Sequence, residues 1–70
     1  MKLLLVEDEE DLAQGVVLGL EAVGFQVTHV TTGRAGLDVL LHETFALVIL
    51  DLMLPDLTCL EICRQLRRDP

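Results

Sequence analysis

Three carboxylates in this sequence stand where side chains could do chemistry. Glu7 and Asp8 follow the apolar run LLLV, and Asp51 ends the apolar run ALVIL. A charge at the end of a strand built for a dry interior is either satisfied by partners or placed there for a reaction, because desolvating it unpaired is costly. If the three groups converge, their repulsion drives one or more toward protonation unless a cation compensates. A hard divalent ion such as magnesium meets that need, since it takes oxygen ligands from one or two carboxylates, water and a phosphate oxygen. With the charge offset, Asp51 could attack a phosphoryl group and become an aspartyl phosphate. The spacing leaves a second reading open, in which Glu7 and Asp8 belong to a solvated acidic run, EDEED, and Asp51 caps a loop.

Convergence depends on the elements that carry these residues. Lys2 to Val6 reads as a short strand covered on both faces. From Asp11 to Val23, Leu12, Val16, Leu20 and Val23 recur at helical spacing, with Glu9, Glu10 and Asp11 at the positive end of the dipole and Gly24 as a left-handed stop. Phe25 to Val30 alternates and suits an edge strand. Thr31, Thr32 and Gly33 supply capping chemistry before a helix over Arg34 to Glu43, in which Leu37, Leu40 and Leu41 share a face. Gly36 weakens that helix by about 1 kcal/mol relative to alanine. Ala46 to Leu50 is apolar throughout and reads as an interior strand. Thr58 and Glu61 form a capping box for a third helix with Cys59, Ile62, Cys63 and Leu66 as its stripe. The alternation predicts an α/β fold of parallel strands joined by right-handed crossovers. Sites in such sheets lie beyond the carboxyl ends of the strands, at the switch point of the winding. Glu7, Asp8 and Asp51 all fall at such ends.

Composition narrows the classes. The chain has 70 residues, 51% hydrophobic and 24% charged, which suits one small globular core. No stretch approaches the roughly 20 apolar residues of a membrane span, and no secretory signal is evident, so a cytoplasmic protein is expected. The net charge of −7 argues against nucleic-acid or anionic-membrane binding by this segment. Arg64, Arg67 and Arg68 fit a solvated helix end. Cys59 and Cys63 read as a half-buried thiol pair, and His29 and His42 stand alone.

The segments LLLVEDEEDL, TTGRAGLDVL and FALVILDLMLPDLTCLEICRQLR resemble a bacterial two-component response regulator receiver domain over essentially the whole chain. The resemblance is closest to receivers of winged-helix DNA-binding regulators. It implies the flavodoxin-like receiver fold with three parallel strands in the order 2-1-3 alternating with three helices. It implies Asp51 as phosphoacceptor, magnesium held by Glu7, Asp8, Asp51 and the backbone carbonyl of Met53, and Pro55 as the shaper of the acceptor turn. The phosphodonor would be a sensor histidine kinase, and the full-length parent would control transcription.

Two departures from the family pattern stand out. Thr58 and Cys59 occupy positions where aspartate and glycine are usual. Residues 1–70 are expected to be the N-terminal portion of a receiver, truncated before its last two strands and so lacking the switch serine or threonine and the phosphoryl-contacting lysine. In a 2-1-3 sheet the third strand is an uncovered edge, so the alternative to a phosphoacceptor is a non-signalling interaction fragment that assembles into a homo-oligomer through it. An aspartyl-phosphate hydrolase is argued against by Met53, where such enzymes place a second acid, and no G-x-G-x-x-G or P-loop suggests a nucleotide cofactor.

Overall fold

The computed structural model describes residues 1–51, 56 and 59–67, the last group without the side chains of 59, 66 and 67. Six elements follow in strict alternation: β1 (Lys2–Val6), α1 (Glu10–Ala22), β2 (Gln26–Val30), α2 (Gly33–His42), β3 (Leu47–Leu50) and α3 (Cys59–Arg67). The strands form one parallel sheet in the order β2-β1-β3. The first strand is therefore central, with Leu3 opposite Val27 and Leu47, and Val6 opposite Val30 and Leu50.

The pleat sends alternate residues of β1 into two separate cores. Leu3 and Leu5 meet Ala13 of α1, with Val16, Val17, Leu20, Phe25 and Val27 around them. Leu4 and Val6 meet Ile62 of α3, with Val30, Leu37, Leu40, Val48 and Leu50 among their neighbours. This is why four consecutive apolar residues suit this strand: both faces are dry, and each buried Leu or Val stabilises the fold by roughly 1.5–3 kcal/mol.

The helix ends follow their capping chemistry. Glu10 and Asp11 occupy the first turn of α1, and Gly24, at φ 102°, turns the chain out of it in the left-handed conformation. Thr32 is the N-cap of α2, its hydroxyl accepting from the Ala35 N–H at 3.1 Å. Gly36 proves to be a packing requirement: a Cβ there would lie 2.8 Å from a methyl of Val6, so its absence lets α2 close onto the central strand.

Several expectations change. The inward stripe of α1 is the buried Ala13 with the half-buried Val16, Val17 and Leu20, whereas Leu12 and Val23 are exposed, because the sheet meets the helix one position round from the face expected. In α2, Leu37 and Leu40 pack inward and Leu41 faces solvent. The third strand lies at the edge of the described sheet, with Leu47 48% and Ile49 37% exposed. Cys63 is exposed and not half-buried. The Thr58 half of the expected capping box lies outside the described residues.

Candidate functional site: an acidic rim at the carboxyl ends of β1 and β3

The site is built by two strands that end side by side. β1 stops at Val6 and delivers Glu7 and Asp8; β3 stops at Leu50 and delivers Asp51. The sheet ladder continues just past the strands: the Asp51 N–H donates to the Val6 carbonyl at 3.0 Å, and the Glu7 N–H donates to the Val30 carbonyl at 3.1 Å. These bonds fix the backbone of both acids relative to the central strand. As a result, one carboxylate oxygen from each of Glu7, Asp8 and Asp51 lies within 4.8 Å of the others. Glu7 and Asp51 are half-buried and Asp8 is exposed. The convergence expected from the alternation of elements is therefore present.

Glu7 is held at three points. Besides its backbone N–H, its carbonyl accepts from Nε2–H of His29 at 2.9 Å, and its carboxylate accepts from the Glu9 N–H at 3.1 Å. His29, which stood alone in the sequence, thus orients the residue that begins the acidic pair. Only the register that sets β2 beside β1 could have revealed this role.

The electrostatics are those of crowding. The Glu9 N–H favours the charged form of Glu7, yet desolvation, hydrogen bonds from its protonated form to Asp51 and Asp8, and the charge of Asp51 together outweigh it. The Glu7 pKa is raised above the ordinary glutamate value. Such a cluster has more negative charge than it can comfortably keep. Its donors are all carboxylate oxygens, a set suited to a hard divalent cation and unsuited to a thiolate- or imidazole-seeking metal. Among the described residues this is the group of acidic, His and Cys side chains close enough to share an ion. The Met53 carbonyl and Pro55 lie outside the described residues.

A parallel sheet in the order 2-1-3 with helices on both faces has the order with which flavodoxin-like sheets begin. Comparison with known proteins agrees. The response regulator receiver domain family matches residues 3–70, and the chain belongs to that family. The chain is 46% identical over 68 residues to response regulator ArlR of Staphylococcus saprophyticus, covering 97% of this chain and 31% of that protein. It is likewise 46% identical over 66 residues to the transcriptional regulatory protein YkoG of Bacillus subtilis, covering 94% of this chain and 29% of that one. Among solved structures, the signal receiver domain of a histidine kinase from Syntrophus aciditrophicus superposes with a TM-score of 0.87 at 32% identity, covering 99% of this chain and 52% of that one. A chain of the complex between histidine kinase ThkA and response regulator TrrA superposes with a TM-score of 0.86 at 25% identity, covering 99% and 60%. The chain thus spans about a third of the length of its curated relatives and somewhat over half of the solved receiver chains. No described helix is long and apolar enough to cross a membrane.

Proposed function

We propose that this chain is a phosphoacceptor module of a two-component system, in which Asp51 receives a phosphoryl group from the phosphohistidine of a sensor histidine kinase. The observation that carries the reading is the approach of the Glu7, Asp8 and Asp51 oxygens to within 4.8 Å of one another. An Asp51 carboxylate oxygen attacks phosphorus, the P–N bond to the donor imidazole breaks, and the imidazole retains the bonding pair and takes up a proton. Glu7, Asp8, Asp51 and the Met53 backbone carbonyl would hold magnesium, which when bound offsets the charge that builds on the phosphoryl oxygens. Glu7, anchored by His29 and Val30, keeps its carboxylate beside Asp51 so that the acceptor oxygen and the metal ligands share one rim.

The same reading places the protein in the cytoplasm, where the donor is made. It assigns transcription control to a parent protein resembling the ArlR and YkoG regulators, with no direct nucleic-acid contact by this acidic segment. The ThkA–TrrA complex supports a histidine kinase as the partner. The test is intact-mass analysis of the chain after incubation with acetyl phosphate and magnesium. One phosphoryl adduct is expected on Asp51; an equal adduct on Asp51→Ala, or none on the wild type, defeats the reading.

A second reading is favoured by the exposed apolar residues Leu47 and Ile49 on the edge strand β3: assembly of two copies through that strand. The two readings are compatible, since pairing along β3 leaves the acidic rim at its end.

A further inference from the structure

Asp56 lies five residues beyond Asp51 in the sequence, yet its carboxylate is engaged by a different element. Its Oδ1 accepts from the Gly33 N–H at 2.8 Å and its Oδ2 from the Arg34 N–H at 2.9 Å. These are the first two amides of α2, which has no acidic residue in its own first turn. Thr32 supplies the acceptor for the third amide, Ala35, and the fourth, Gly36, bonds the Thr32 carbonyl at 3.1 Å. The three helical amides that precede the first intrahelical bond, Gly33, Arg34 and Ala35, are therefore all paired, two of them by a residue more than twenty positions away. The negative charge that the helix dipole favours also comes from Asp56.

This arrangement fixes two residues five positions apart, Asp51 and Asp56. At one end the Asp51 N–H is bonded to the Val6 carbonyl. At the other, Asp56 is clamped to α2, whose Gly36 packs on Val6, the residue before Glu7. A segment held at both ends loses less freedom when it must adopt one geometry around an ion. We infer that Asp56 is a positioning residue for the Asp51 centre: its clamp on α2 fixes the far end of the 51–56 segment and so favours both cation binding and phosphoryl acceptance.

The inference rests on Asp51 being the phosphoacceptor, and the experiment separates the two. In the full chain, magnesium affinity is read by amide chemical-shift titration, and the rate of Asp51 modification by acetyl phosphate is read by mass spectrometry. Wild type, Asp56→Ala, Asp56→Asn and Thr32→Ala are compared well below their melting temperatures. Asp56→Ala is expected to weaken magnesium binding and slow modification by roughly three- to tenfold, part of what charge-assisted hydrogen bonds contribute. Thr32→Ala removes a cap from the same helix without touching the acceptor segment, and should leave both quantities within about twofold. Asp56→Asn keeps an oxygen acceptor while losing the charge, and should recover at least half of the loss.

Coupling is reciprocal, so magnesium should also slow amide exchange at Gly33 and Arg34 of the wild type by a comparable factor, a readout that needs no variant. Unchanged exchange there, an unaffected Asp56→Ala, a Thr32→Ala that weakens binding equally, or an Asp56→Asn as impaired as the alanine variant would each overturn the inference. A wild type that binds no magnesium and takes no adduct would overturn the phosphoacceptor reading itself.

Discussion

Glu7 carries two opposed demands. On the proposed function its carboxylate stays beside Asp51 to share a cation, and that proximity, with desolvation, raises its pKa in the absence of one. A carboxylate whose pKa is raised on folding binds its proton more tightly in the folded than in the unfolded chain. The folded state therefore loses stability as pH rises from the ordinary glutamate value through the raised one, the opposite of a salt-bridged acid. In metal-free buffer, unfolding followed by circular dichroism should show this falling limb, and the difference between wild type and Glu7→Gln should isolate it. Glu7→Gln is expected to be the more stable protein above that interval and to bind magnesium about tenfold more weakly, since a charged oxygen ligand is lost. A glutamine variant less stable than wild type at neutral pH without metal would contradict the crowding described here.

The helix α2 shows how an element's packing can reverse its propensity. Helix propensity alone makes Gly36→Ala a gain of about 1 kcal/mol. The new Cβ, however, would sit 2.8 Å from one methyl of Val6 and 3.5 Å from the other. Val6 is fully buried and stiff at χ1, so the clash must be relieved by moving the helix or the strand, at a cost of roughly 1–3 kcal/mol. Net destabilisation on the order of 1 kcal/mol is expected from the urea midpoint. By contrast, Gly15 and Gly19 of α1 have open space where a Cβ would go, and alanine there should stabilise by about 0.5–1 kcal/mol.

The same scale shows what could be read from the residues. Strand and helix order was legible because LLLV and ALVIL have no helical period, and Thr32 and Gly24 mark boundaries by mechanisms that act locally. The face of α1 was not. Residues 12, 13, 16, 17, 18 and 20 are all apolar, so stripes one position apart share Val16 and Leu20, and only the sheet selects Ala13 over Leu12. The acidic rim was legible in part: Glu7, Asp8 and Asp51 announce themselves at strand ends, while the supports from His29 and Asp56 depend on register and on contacts more than twenty residues apart.

At the scale of the whole molecule, the sheet is unevenly protected. β1 pairs on both sides and is buried on both faces, whereas β3 pairs with β1 alone among the described strands and leaves Leu47 and Ile49 partly in water. Those two residues share the sheet face with Leu3 and Leu5, but α1 packs toward β2 and does not cover them. An apolar strand at the edge of the described sheet, with its outer backbone groups open to a further strand, is an incentive to pair. Two copies that add strand to strand along β3 would satisfy the open backbone groups and remove both side chains from water. Sedimentation should therefore show concentration-dependent dimerisation of the wild type. Lysine at both positions, Leu47→Lys with Ile49→Lys, should return it to a monomer, because a charge on an edge strand must be desolvated when another strand approaches. The carboxylates at 7, 8 and 51 lie beyond the strand end, so the lysine variant should keep its magnesium affinity within about twofold after the added positive charge is screened by salt. A wild type that stays monomeric at every concentration would show that the edge is tolerated as it stands, and a lysine variant that still dimerises would place the contact on another face.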